Sequence, residues 1–171
     1  MSRLATLVLA VALLAAGCGS ASGTTTSAGT TTTSPAVVVT ASDLRNGVTA
    51  ALREDHKLAL RVLWTNVVPL TATRSTRGPA LAGMRASAKG RQKEQIRVRM
   101  LHDSYRIISI QLDPAYTSAT AIAQSNQNLR LAHLDGRAAG PATEVNERAR
   151  IDLHRIGTSS HFVVWRLTVV K

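Results

Sequence analysis

The apolar period changes once along this chain, at Gln95, and that change limits the fold more than any other feature. Before it, Leu44, Val48, Leu52, Ala59 and Leu63 recur at helical spacing, with Arg45, Arg53, Glu54 and Lys57 on the other faces. Thr40-Ala-Ser-Asp43 has the form of a capping box, with Asp where Glu is more usual. Together they predict a helix over residues 41–66, which Pro69 stops from continuing. Gly78-Pro79 suits a second helix start, followed by the stripe Leu81, Met84 and Ala88. After Gln95 the period is two: Ile96, Val98 and Met100 alternate with Arg97 and Arg99. Helices first and strands after, joined by short turns, predict an α+β domain with helices packed on an antiparallel meander.

About five strands are expected. They are a first at residues 96–100, then Tyr105 to Leu112, Ala119 to Leu134, Glu144 to Ile156 and Phe162 to Val170. Asp113-Pro114, Asp135-Gly136, Gly140-Pro141 and Gly157 to Ser160 supply turns and loops. The last strand is apolar at nearly every position, which predicts a central strand covered on both faces. Helices followed by a curved, cone-like sheet ending in Phe162-Val-Val-Trp-Arg-Leu-Thr-Val-Val170 resemble the nuclear-transport-factor-two-like fold. The resemblance covers about residues 41–171 and rests on element order. That superfamily includes cyclase-like and isomerase-like enzymes and catalytically inactive envelope domains of actinobacteria. No catalytic motif of the superfamily can be placed here residue by residue, so the resemblance implies a fold and not an activity.

The first forty residues carry an address. Arg3 precedes an uncharged run from Leu4 to Ala16, 13 residues long. That suits a signal peptide and falls short of the roughly 17–25 residues of a membrane-spanning helix. Ala15, Ala16 and Gly17 then lead into Cys18, the single cysteine of the chain. The segment resembles the bacterial lipobox, which implies cleavage before Cys18, acylation of its thiol and anchoring by buried acyl chains. From Gly19 to Pro35 the chain has 7 Thr, 4 Ser, 3 Gly, 2 Ala and 1 Pro, with no charge and no large apolar group. Such a segment buries too little surface to offset its ordering entropy and is expected to act as a disordered tether. The expected organisation is a signal peptide at 1–17, a lipidated cysteine and tether at 18–39, and one domain at 40–171. The expected location is outside the cell membrane, anchored to its outer face or to another envelope membrane.

One cysteine allows no intramolecular disulfide, and no Cys/His spacing suits structural zinc; no metal or cofactor is expected. Glu147 shares the parity of Val145, Ala149, Ile151 and Leu153, which points a carboxylate toward a core or cavity. Burial there would raise its pKa toward general acid or base work; the alternative is an ion pair with an Arg such as Arg130. His56, His102, His133, His154 and His161 form no close metal-type pair, and no Gly-x-Ser-x-Gly elbow occurs.

The net charge is +11. From Arg74 to Arg106 nine basic residues face only Glu94 and Asp103. Arg85, Lys89, Arg91, Lys93, Arg97 and Arg99 make up the candidate anion-binding surface, read either as a docking face or as a solvated face that aids solubility. For an exported domain the matching partners are the membrane itself, anionic lipid, a cell-wall polymer or an envelope protein. Tyr105 is the one aromatic residue in the stretch, so stacking on single-stranded nucleic acid is poorly served and no nucleic acid is expected. The sequence thus favours a non-enzymatic envelope binding domain. The alternatives are a small-ligand carrier or cryptic enzyme using a cone cavity with Glu147, and an assembly domain of a membrane complex.

Overall fold

A computed structural model describes residues 39–170. The expected signal peptide, Cys18 and the expected tether lie outside the described residues. Helix α1 spans Ala41–Thr65 and α2 spans Gly78–Lys93, with a short 3-10 turn at Leu70–Arg74 between them. Strands β1 (Ile96–Leu112), β2 (Ser118–His133), β3 (Ala138–Arg155) and β4 (Phe162–Val170) follow. They form one open antiparallel sheet in the order β1-β2-β3-β4, with the helices packed on it.

The local signals near α1 operate as the sequence suggests. Thr40 is the N-cap: its Oγ1 accepts from the Asp43 amide at 3.1 Å, and Asp43 accepts from the Thr40 amide at 2.9 Å. The helix ends at Asn66, which adopts the left-handed conformation (φ 56°) and donates its amide to Val62 O. Pro79 occupies the first turn of α2, where its missing N–H costs nothing.

Three strand expectations are corrected. The two strands expected between residues 96 and 112 are one strand, so the sheet has four strands and not five. Its register shifts twice, leaving Leu101 and Ile108 without partners in the ladder. A bulge reverses the parity of every later residue, so the alternation is displaced and reads as a break. Gly140 and Pro141 lie inside β3, not in a loop. They fall in a register shift between β2 and β3, where a proline without an N–H is tolerated. Finally, β4 is an edge strand. Phe162, Val163 and Val164 are buried, whereas Arg166 through Val169 are exposed.

The chain before α2 runs beside the start of β4. Arg77 donates its amide to Val164 O, and Val164 donates to Ser75 O, both at 2.8 Å. This parallel bridge at Thr76 covers the first part of the β4 edge. Helix α1 approaches both edge strands, β1 and β4, so the sheet curls around it. Leu44, Val48 and Leu52 pack onto Ala119, Ala121 and Ala123 of β2, with Ile151, Leu153, Phe162 and Val164 closing the core. The alanines let the helix come close. At Gly47 a Cβ would stand 1.8 Å from the carbonyl oxygen of Ser160, so only glycine fits that contact.

Candidate functional site: a cationic groove beside a buried polar cluster

Glu147 is half-buried and faces Ser125 in the β2–β3 register. It takes part in no ion pair or side-chain hydrogen bond among the described residues, and it lines neither of the two grooves described below. The expected pairing with Arg130 is not formed.

The basic stretch divides into three groups. Arg85, Lys89 and Lys93 are exposed and four residues apart, so they form one stripe along α2. Arg91 leaves that set. It is buried, and its guanidinium donates to Asn66 Oδ1 at 2.8 Å, Ser87 Oγ at 2.6 Å and Val62 O at 3.2 Å. Burial lowers its pKa from the ordinary arginine value. Asn66 in turn donates to Ile96 O at 2.5 Å and accepts on its backbone carbonyl from Gln92 at 2.8 Å. This pair ties the end of α1 to α2 and to the start of β1. The spacing that places Arg91 among surface cations cannot reveal this; the Asn directly after the apolar period was the available signal.

Arg97 and Arg99 form the third group, at a groove of about 510 Å³ lined also by Leu60, Trp64, Val98, Met100 and Gly136. The Arg97 guanidinium carbon lies 3.9 Å from the centre of the Trp64 ring, a cation–π contact. Trp64 is 39% exposed, unusual for so large an apolar group. Arg99 stands opposite Arg130 in the β1–β2 register. Of the four ion pairs among the described residues, none includes Arg97, Arg99 or Arg130. A second groove, about 710 Å³, lies between α1, the 3-10 turn and the β3–β4 turn, with Glu54, Lys57, Arg61, Arg74 and His161 on its walls.

A polar cluster lies under α1, unforeseen in the sequence. Asp55 is buried and accepts a short hydrogen bond from Thr76 Oγ1. Burial pushes its pKa up to about 6, against the opposing pull of the Thr76 bond and the neighbouring His56. Next to it, His56 Nε2 is 2.7 Å from Asp103 Oδ2, and Gln127 donates to Asp103 Oδ1 at 2.9 Å. The His56 ring stacks on Tyr105 at 4.1 Å. Burial, and then the charge of Asp55, push the Tyr105 hydroxyl up to about 12. An oriented His–Asp pair can serve as a base, but none of these residues lines either groove. Its role on this geometry is to join α1, β1, β2 and the Thr76 bridge. Asp55 was legible in part, since it lies three residues after Leu52 and four before Ala59 on the apolar stripe.

Two of the remaining histidines have defined contacts. His154 stacks on Trp165 at 4.7 Å, and His161 Nε2 lies 3.0 Å from Arg74 O. Among the described residues, no three of His, Cys, Asp and Glu converge as a metal site, and no helix is long and apolar enough to cross a membrane.

No known protein family matches the chain. No curated protein matches it either. Among solved structures it is similar to the intermembrane-space region of the chloroplast protein ARC6, with a TM-score of 0.58 and 13% identity over 72% of this chain and 95% of that one. A protein from Catenulispora acidiphila also matches, at a TM-score of 0.38 and 13% identity, covering 74% of this chain and 92% of that one. At such identity the ARC6 region shares a fold with this chain and nothing more specific.

Proposed function

We propose that the chain is an envelope lipoprotein whose tethered domain docks, without catalysis, on an anionic membrane surface. The exposed α2 stripe of Arg85, Lys89 and Lys93 carries this reading. Three cations share one helix face, and none has an acidic partner in an ion pair among the described residues. Each basic residue close to an anionic leaflet contributes about 1 kcal/mol, so three shift the partition by roughly a hundredfold. Acylation at Cys18 would hold the domain near the leaflet. As the flexible tether that their composition predicts, the 21 residues from Gly19 to Val39 would span roughly 25 Å, within reach of the head groups. The fold neighbour is the intermembrane-space region of a chloroplast protein, which is compatible with a place beside a membrane.

The test is sedimentation with vesicles of phosphatidylglycerol and phosphatidylcholine, using the full chain with Cys18→Ser so that docking is read apart from acylation. Binding is expected to follow the phosphatidylglycerol fraction, to weaken at high salt, and to fall about a hundredfold in Arg85→Gln/Lys89→Gln/Lys93→Gln. Equal binding by the triple variant would remove this reading.

A further inference from the structure

The α2 stripe does not line the groove at the C-terminal half of α1, and that groove has a different chemistry. We propose that it binds single molecules of an anionic amphiphile: a carboxylate or phosphate head on an apolar body. Its volume of about 510 Å³ falls within the range of small-molecule sites. Leu60, Trp64, Val98 and Met100 make an apolar wall, and Arg97 and Arg99 supply charge beside it.

The cations are held ready for an anion. The Trp64 face supports the planar Arg97 guanidinium. Gly136 (φ 92°) has no side chain, and a Cβ there would come within 3.4 Å of Arg97 Nη2. Asp135 feels the charge of Arg97 but pairs with Arg137, at 2.6 Å, and forms no ion pair with Arg97. Arg99 and Arg130 face each other across neighbouring strands, an arrangement of like charges that weakens a sheet. The Nε atoms of Arg97 and Arg130 are buried with no hydrogen-bond partner among the described residues. A carboxylate or phosphate in the groove would accept from the guanidinium forks of Arg97 and Arg99 and offset the repulsion that Arg99 meets from Arg130. The apolar wall selects an amphiphile over a bare ion, because its burial adds roughly 25 cal/mol per Å² that a bare ion does not gain.

The experiment uses the full chain with Cys18→Ser and Trp165→Phe, leaving Trp64 as the single tryptophan. A dibrominated stearate, kept below its micelle concentration, is titrated while Trp64 fluorescence is followed. Saturable quenching is expected, with affinity at least tenfold weaker for the methyl ester of the same probe. Arg97→Gln and Arg99→Glu are each expected to weaken it about tenfold; Arg99 is exposed, so its replacement leaves folding intact. Displacement by lysophosphatidylglycerol assigns the site to anionic heads in general, and its failure to displace assigns the site to carboxylates. Quenching without saturation, equal affinity for the methyl ester, or an unchanged affinity in Arg99→Glu overturns the proposal. Vesicle docking fails separately: the Arg85/Lys89/Lys93 variant should bind the stearate normally.

Discussion

The two halves of α1 face different neighbours and behave differently. Its first half is closed: Leu44, Val48 and Leu52 are buried against small alanines of β2, and Gly47 touches the β3–β4 turn. The second half is open on one side: Val62 stays buried, but Leu60 and Trp64 meet arginines of β1 across a groove. One amphipathic helix therefore seals the core at one end and presents aromatic and apolar surface at the other. The difference lies in what stands opposite. Alanines admit the helix, whereas long cations hold the wall away and keep their charged ends near water.

The sharpest way to break the contrast is Gly47→Ala. Its Cβ would overlap a backbone oxygen that no side-chain rotation can move, so a loss of about 4 kcal/mol is expected in urea unfolding. A loss under about 1 kcal/mol would show that the closed half yields as readily as the open one.

Next in size is the pH response of Asp55, between the two halves. Its folded pKa of about 6 lies above the ordinary 3.8. Between these values the unfolded chain releases a proton that the folded chain keeps, so stability falls as pH rises from about 4 to 6, by about 3 kcal/mol. Below that window the protonated Asp55 contributes fully; above it the cost of a buried charge is complete. Asp55→Asn keeps an acceptor for Thr76 and is expected to flatten this slope relative to the parent chain. Parallel stability–pH curves for the two proteins would refute the assignment.

At the junction of α1 with α2, Asn66→Ala removes the left-handed cap and strands Arg91. A loss of about 2 kcal/mol is expected in thermal unfolding, with Asn66→Gly recovering the cap but not the contacts to Ile96 and Arg91. Equal stability of the Ala and Gly variants would assign the whole effect to the side-chain contacts. The smallest effect is expected from Trp64→Ala in the open half, about 1 kcal/mol, since a half-exposed ring has less burial to lose. A loss as large as that of Leu52→Ala, about 3 kcal/mol, would mean that the groove is part of the core.

Much of the framework was legible because it is local. The capping box at Thr40, the stop before Pro69, the start at Gly78-Pro79 and the change of period at Gln95 depend on residues within one turn or one strand of each other. The strand count was not, because the bulges at Leu101 and Ile108 displace the alternation and only the β2 partner shows it to be continuous. The place of β4 was hidden for a related reason. Its apolar start is covered by the Thr76 bridge, a contact with residues nearly ninety positions earlier, and not by a second neighbouring strand.

The candidate site divides along the same line. Charge spacing alone marked Arg85, Lys89, Arg91, Lys93, Arg97 and Arg99 as one surface. Tertiary packing separated them into an exposed stripe, a buried clamp on Asn66 and a groove beside Trp64. The sequence by itself determined the class of the main elements and where both helices, β1 and β4 start, since capping, proline geometry and apolar period act within a few residues. Only the tertiary structure decided which charge is buried, which face is open and which carboxylate, Asp55 and not Glu147, sits in the core. Those outcomes depend on desolvation and on partners far apart in the chain, and neither is written in local spacing.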